Sequence, residues 1–321
     1  MKKYFLSIFL FIASLQLFAQ QEAMYTQYTF NPTAINPAMT SGLNEINGRA
    51  IYRKRFLGGD FEGDPQTQAV VLEFPMANEK TNLGLQIFND VAGIIKSTGA
   101  YGIYNYKAKF NDRLSLTMGI QAGMTNFRAD FTSIQLIDPR DPNFGQNINK
   151  SMMSVGSGFK LGNEKWFVAV SVPQLIRTDL SIIVNPNSKY SASNARFLFG
   201  MVGYDFRLNR MFKLQTNVLA KVIENAPVAF DYNAKFGFND RFFLGGSLRT
   251  ANDKFNENSG QTRLGDAFLG FIEIQLTDQI RFGYAYNMAT NKGNYSTGSH
   301  EIMLGYKFSK NREVEVINPR F

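Results

Sequence analysis

The sequence contains no cysteine, one histidine, one tryptophan and, after its first residues, no long apolar run. Each shortage removes a class of protein. Without cysteine there is no disulfide, no zinc-thiolate site and no lipid anchor on a leading cysteine. With His300 as the only histidine there is no histidine cluster for a metal, and a Ser-His-Asp set has at most one candidate base. His300-Glu301 lacks the second histidine of a zinc-protease helix and falls in a strand-like stretch, so His300 reads as a structural or rim residue. Gly58-Gly59 and Gly156-Ser157-Gly158 look like fragments of phosphate loops, but no Lys-Ser/Thr opening a helix follows either one. Glycine at these places suits close packing or sharp curvature. Asp138 to Asn143 carries two Asp and an Asn, yet Arg140 and two prolines fit a rigid polar loop better than a calcium loop. No catalytic residue, metal or cofactor is expected, and an enzyme has little support.

The apolar run that does exist spans Tyr4 to Phe18, after Lys2 and Lys3 and before Ala19-Gln20-Gln21. It reads as a signal peptide, residues 1–19, with cleavage after Ala19. A spanning helix needs ~20 apolar residues, and no later stretch reaches that. If the mature chain enters a membrane, it must do so as a closed sheet, which satisfies every backbone group in lipid. The formal charge is +8, and removal of Lys2 and Lys3 leaves 8 − 2 = +6. In an envelope protein that balance suits anionic lipid, glycan or an acidic protein partner before nucleic acid. Phe (30) and Tyr (14) far outnumber Trp (1), as strands and the aromatic girdles of a bilayer surface would have it.

Alternation of period two decides the fold class. In Gly298 to Phe308, Ile302, Leu304, Tyr306 and Phe308 share one face, while Glu301, Met303, Gly305 and Lys307 share the other. Gln279 to Ala289, Ala229 to Phe238, Leu114 to Phe127, Phe212 to Ile223 and Arg241 to Thr250 repeat the pattern. One face is apolar and the other carries tiny or charged residues, which suits a wall between lipid and a wet lumen. Weaker candidates raise the number to about fourteen strands, an even number allowed for an outer-membrane barrel. Their starts fall near Ile46, Gln68, Asn82, Ala100, Leu114, Met152, Trp166, Arg196, Phe212, Ala229, Arg241, Asp266, Gln279 and Ser299.

The fold expected is all-β: a transmembrane outer-membrane β-barrel of about fourteen antiparallel strands, with short periplasmic turns and longer extracellular loops. Tight polar turns are expected at Asn111-Asp112-Arg113, Gly162-Asn163-Glu164, Leu208-Asn209-Arg210, Asn239-Asp240 and Thr277-Asp278. Long links cover Arg128 to Ser151, Pro173 to Ala195, Ala251 to Gly265 and Thr290 to Gly298, with Glu224 to Pro227 the one brief exception on that side. The F-N-D-R echo at Phe110 to Arg113 and Phe238 to Arg241 reads as one turn chemistry used twice. The chain then divides into a signal peptide (1–19), a periplasmic N-terminal segment (20–45), the barrel (46–308) and a periplasmic tail (309–321).

With the aliphatic face toward lipid, the inner wall receives Arg49, Arg53, Arg55, Lys107, Lys109, Lys213, Lys221, Lys235, Arg241, Arg249, Arg281 and Lys307. Its acids are Glu73, Asp231, Glu273 and Glu301. Pairs such as Glu273 with Arg281 would brace neighbouring strands. The cation surplus marks Arg49, Arg53, Arg55, Lys235, Arg249 and Arg281 as a candidate basic lumen or rim for an acidic peptide or partner. Phe127, Phe243 and Phe271, if they point inward, argue against an open channel.

Tyr25 to Ala38 reads Y-T-Q-Y-T-F-N-P-T-A-I-N-P-A. Gln27, Tyr28, Phe30, Asn31, Pro32, Asn36, Pro37 and Ala38 match a Q-Y-x-F-N-P then N-P-A pattern, and this segment resembles the mature N-terminus of the PorP/SprF family of type IX secretion membrane proteins. The resemblance continues through Tyr52-Arg53, Pro65, Thr67, Leu83-Gly84, Asn89-Asp90 and Gly93 to the closing G-S-H-E-I-x-L-x-Y-x-F segment. Two departures are Arg55-Phe56, where the family often has Trp nearby, and Met39-Thr40 after N-P-A. What the resemblance implies is a non-enzymatic barrel in the Gram-negative outer membrane that assists export or surface attachment of cargo such as adhesins of gliding bacteria. Its implied partners are outer-membrane lipid, cargo C-terminal domains, and periplasmic or lipoprotein components of type IX secretion. On the residues alone, the Pro-interrupted segment holding Gln27, Tyr28, Phe30, Asn31, Pro32, Asn36 and Pro37 could dock a partner or plug and brace the barrel mouth. The rival function is a general diffusion or solute-uptake porin, which needs an open pore.

Overall fold

The computed structural model describes residues 28, 30–40, 46–55, 64–76, 80–131, 147–176, 196–223, 228–251, 263–289 and 298–308. The expected signal peptide, Gln27, Gly58-Gly59, Asp138 to Asn143, Glu224 to Pro227 and the tail after Phe308 lie outside the described residues. Fourteen strands run in chain order: β1 Ile46–Arg55, β2 Gln66–Pro75, β3 Thr81–Ala92, β4 Ile95–Asn111, β5 Leu114–Ala129, β6 Ile148–Gly162 and β7 Trp166–Val172, then β8 Phe197–Arg207, β9 Phe212–Ile223, β10 Ala229–Phe238, β11 Phe242–Ala251, β12 Arg263–Gln275, β13 Ile280–Ala289 and β14 Ser299–Phe308. Each pairs antiparallel with its sequence neighbours, and β1 closes on β14 from Ile46↔Phe308 to Arg55↔Ser299. Closure removes the sheet edges whose unpaired amides lipid cannot satisfy.

The expected alternation fixes which face is which. On β14, Ile302 and Leu304 are 44% and 53% exposed, whereas Met303 is 2% and Glu301 4% exposed. The inner face is less uniformly polar than the sequence suggested. Two apolar clusters line it: Ile51, Ala69, Leu269, Phe271, Ala285 and Met303 on one wall, and Ala169, Met201 and Leu219 on another.

The short turns at one end of the barrel are closed by side chains that do the work of backbone. Asn111 Oδ1 accepts from the Arg113 and Leu114 amides, Asn163 Oδ1 from Lys165 and Trp166, Asn209 Oδ1 from Met211 and Phe212, and Thr277 Oγ1 from Gln279 and Ile280. The two F-N-D-R segments turn differently, correcting the expectation of one chemistry used twice. At Phe110 to Arg113 the asparagine ends the strand and accepts hydrogen bonds. At Phe238 to Arg241, Asn239 and Asp240 are themselves the left-handed centre of the turn (φ 50° and 53°), and the Arg241 amide donates to Phe238. A one-residue shift of frame separates them.

At the opposite end, the link between β3 and β4 is only Gly93 and Ile94, a second brief exception that the alternation of short and long links did not anticipate. β3 and β4 stay paired up to Ala92↔Ile95, and Gly93 supplies the positive φ (61°) that closes the hairpin. β4 therefore starts at Ile95 rather than near Ala100.

Candidate functional site: a plugged lumen and its short-turn mouth

The segment of Tyr28 and Phe30 to Thr40 does not lie outside the barrel. It crosses the lumen nearer the short-turn end, where β1 begins. Pro32 opens a single 3₁₀ turn, Pro32–Ala34, for which its fixed φ is suited. Asn36 Oδ1 then accepts from the Ala38 amide at 2.8 Å, turning the chain again. Phe30, Asn31, Thr33, Ile35, Asn36, Ala38 and Met39 are all buried.

Side chains from many strands hold this plug. Thr33 donates to Glu73 Oε1 (2.7 Å), Ser171 to the Ile35 carbonyl (2.6 Å), Asn233 to the Tyr28 hydroxyl (2.5 Å) and Arg49 to the Phe30 carbonyl (3.3 Å). Asn36 Nδ2 reaches the Phe159 and Val170 carbonyls at 3.3 Å, and Asn105 reaches the Pro37 carbonyl at 3.5 Å. Phe30 meets Phe271 edge-on (5.6 Å between centroids) within the first apolar cluster, and Tyr28, Ile35 and Met39 join the second. The plug thus bridges two walls of the barrel. Glycines make room for it: a Cβ on Gly158 would sit 2.1 Å from Asn36 Oδ1, and one on Gly119 would sit 2.4 Å from the Ala38 amide nitrogen. Close packing, not phosphate binding, is the use of Gly158.

The inward acids are bracketed by cations. Asp231 pairs with Lys221 (2.5 Å) and with Arg249 (2.9 Å), Glu273 with Lys235 (3.1 Å) and Arg281 (3.5 Å), and Glu73 with Arg49 (2.7 Å). Arg53 stands opposite Glu301 in register on the inner face. Arg55 is exposed at the long-loop end of β1. So the structure gives Arg49, Lys235, Arg249 and Arg281 ion-pair partners, and the Glu273–Arg281 brace is present. Phe243 and Phe271 are buried inward (6% and 2% exposed), and Phe127 is inward and half-buried. On the outer face the Tyr284 hydroxyl and His300 Nδ1 are hydrogen-bonded (2.7 Å) and Tyr286 packs on the ring (4.8 Å), so His300 tightens the join of β13 and β14.

A second feature lies at the short-turn mouth. The β4–β5 and β6–β7 turns wall a recess of about 740 Å³, lined by Lys107, Lys109, Arg113, Lys160 and Lys165 against Asp112 and Glu164, a surplus of 5 − 2 = +3. Lys107 and Lys160 flank Thr117 in register on three adjacent strands, and Lys109 and Ser115 form the next row. Across the mouth the charges are matched instead. Lys213 donates to Asp240 (2.5 Å), and this hydrogen bond holds the Asp240 carboxyl below its ordinary range.

Sequence reasoning named the lysines of β4 but did not single out Lys160 or Thr117. It missed Asn105, Ser171 and Asn233 as plug anchors. Each is buried on the inner face of its strand, and only the closed register brings them together.

A closed fourteen-strand barrel with an apolar exterior and an internally plugged, charged lumen defines an outer-membrane β-barrel protein. The chain belongs to the family described as type IX secretion system membrane protein PorP/SprF, whose model matches residues 17–306. Among solved structures it is similar to the CymD monoaromatic hydrocarbon channel (TM-score 0.54, 10% identity, 91% of this chain and 95% of that one). It is also similar to a TodX deltaS2S3 mutant monoaromatic hydrocarbon channel (TM-score 0.50, 9% identity, 92% of this chain and 96% of that one). At such identity the likeness is one of fold alone. No curated protein matches the chain.

Proposed function

We propose that this barrel serves type IX secretion as a closed docking component, not as a diffusion pore. It would assist export or surface attachment of cargo by binding cargo C-terminal domains or periplasmic components of the apparatus. The observation that carries this reading is the N-terminal segment packed across the lumen, supported by inward Phe243 and Phe271. A porin needs a continuous wet path, and here the N-terminal segment and the Phe243 and Phe271 rings stand in it. With the short turns facing the periplasm, as is general for outer-membrane barrels, the plug entrance and the lysine recess both face the secretion machinery. The ion-paired cations then brace the wall, and recognition falls to charges with no carboxylate within 4.0 Å among the described residues. The rim position of Arg55 keeps it available on the outer side.

Single-channel recording in planar bilayers tests the reading. Purified protein should give no large, stable conductance steps, whereas porin-like steps in the unmodified chain would favour solute uptake.

A further inference from the structure

The inner wall sorts its cations into two kinds. Lys221, Lys235, Arg49, Arg249 and Arg281 each have a carboxylate within 4.0 Å. Among the described residues Lys107, Lys109 and Lys160 have none. Lys160 is half-buried and instead rests its ammonium over the Phe167 ring at 5.1 Å. Asp205, on the same wall, lies beyond 4.0 Å of Lys160 and accepts from Gln215 (2.8 Å), and Glu164 reaches toward Arg207 (3.6 Å). Gathering like charges in a recess costs stability unless something neutralises them. On the opposite side of the wall Asp231, Glu273 and Glu73 supply the neutralising charge. Here it has to come from outside.

We propose that Lys107, Lys109 and Lys160, with Thr117 between Lys107 and Lys160, bind the carboxylates of an acidic peptide segment presented by a periplasmic partner. This rests on the docking reading above and names the chemistry of what docks. Three observations select a peptide over other anions. The lysines project inward, so a lipid headgroup in the surrounding leaflet is separated from them by the wall. Their Cα atoms are spread by about 7 Å along β4 and about 10 Å across two strand spacings. An extended peptide matches this spread, since its side chains at i and i+2 repeat at about 7 Å. Finally the recess opens between two turns at the mouth, where a chain end can enter.

The test uses full-length protein in detergent, fluorescein-labelled hexaglutamate and fluorescence anisotropy at low salt. Saturable binding is expected, weakening as salt is added, and falling about tenfold or more in Lys107→Gln/Lys109→Gln/Lys160→Gln. Arg210→Gln/Lys213→Gln/Arg241→Gln removes the same charge from the other side of the mouth and should change affinity by less than about twofold. Absence of binding, equal loss in both triple variants, or displacement by inorganic phosphate at matched charge would overturn the proposal. Heat-modifiable migration checks folding, and Lys160→Gln alone, with a smaller loss in the same direction, replaces the triple variant if that one misfolds. A pore that conducts yet still binds the peptide would sink the docking reading and leave the recess standing. A closed pore that ignores the peptide would do the reverse.

Discussion

The two sides of the inner wall are built from the same residue types with opposite results. From β9 round to β2, the buried acids Asp231, Glu273 and Glu73 each have basic neighbours at 2.5–3.5 Å, and the plug adds Thr33 to one of them. From β4 to β6, three lysines gather with no acid within 4.0 Å among the described residues. The first side is a finished structure, in which charge cross-links strands. The second lacks that cross-linking, and on the proposal above a partner would supply its acids, a contrast that separates bracing from recognition more sharply than a count of basic residues does.

The comparison can be broken in several places. Gly158→Leu has the largest expected effect, because even its Cβ would overlap Asn36. The plug should leave its seat while the barrel persists, seen as new conductance with heat-modifiable migration retained. Asp231→Asn comes next: it strands Lys221 and Arg249 beside a fully buried amide, at a cost of about 3–5 kcal/mol. The temperature at which migration changes should fall clearly. Ser171→Ala removes one 2.6 Å bond to the plug and should weaken its seating by about 1 kcal/mol, read by hydrogen exchange at Ile35 to Ala38.

On the open side the sign should reverse. Lys107→Met removes a repulsive neighbour and should leave stability unchanged or raise it by about 0.5 kcal/mol in the same melting assay. The smallest effect is at Asp240, whose folded carboxyl titrates below its unfolded value because Lys213 donates to it. That contribution is present above the ordinary carboxyl range and is lost as pH falls through the lowered value. Comparing melting at neutral pH and at about pH 3 should show a slightly smaller loss in Asp240→Asn than in the parent.

Much of the barrel was legible because membrane strands announce themselves through period two, and one buried face tolerates no slip of register. Strand starts such as Ile46, Leu114, Trp166, Phe212, Ala229 and Ser299 follow directly from the alternation and its turns. Two local features were not legible for a common reason. The F-N-D-R turns and the Gly93–Ile94 hairpin depend on which residue occupies which turn position, and identical letters can be framed one residue apart. The site was legible only in outline. In sequence the N-P-A segment fits docking and plugging alike, because the anchors that hold it in the lumen, Asn105, Ser171 and Asn233, are distant in sequence. The Glu273–Arg281 pair was legible across neighbouring strands, whereas the bracket on Asp231 was hidden, since it finds Lys221 and Arg249 only through the register of three strands.

The absence of native cysteine makes the central claim directly measurable. Ala38→Cys, which is 2% exposed in the parent and packed against Gly119, and Lys109→Cys, exposed in the recess, can each be challenged with a maleimide in the folded barrel. Ala38→Cys should resist labelling until Gly158→Leu is added, while Lys109→Cys labels at once. Rapid labelling of Ala38→Cys in the otherwise unmodified barrel would contradict a plugged lumen.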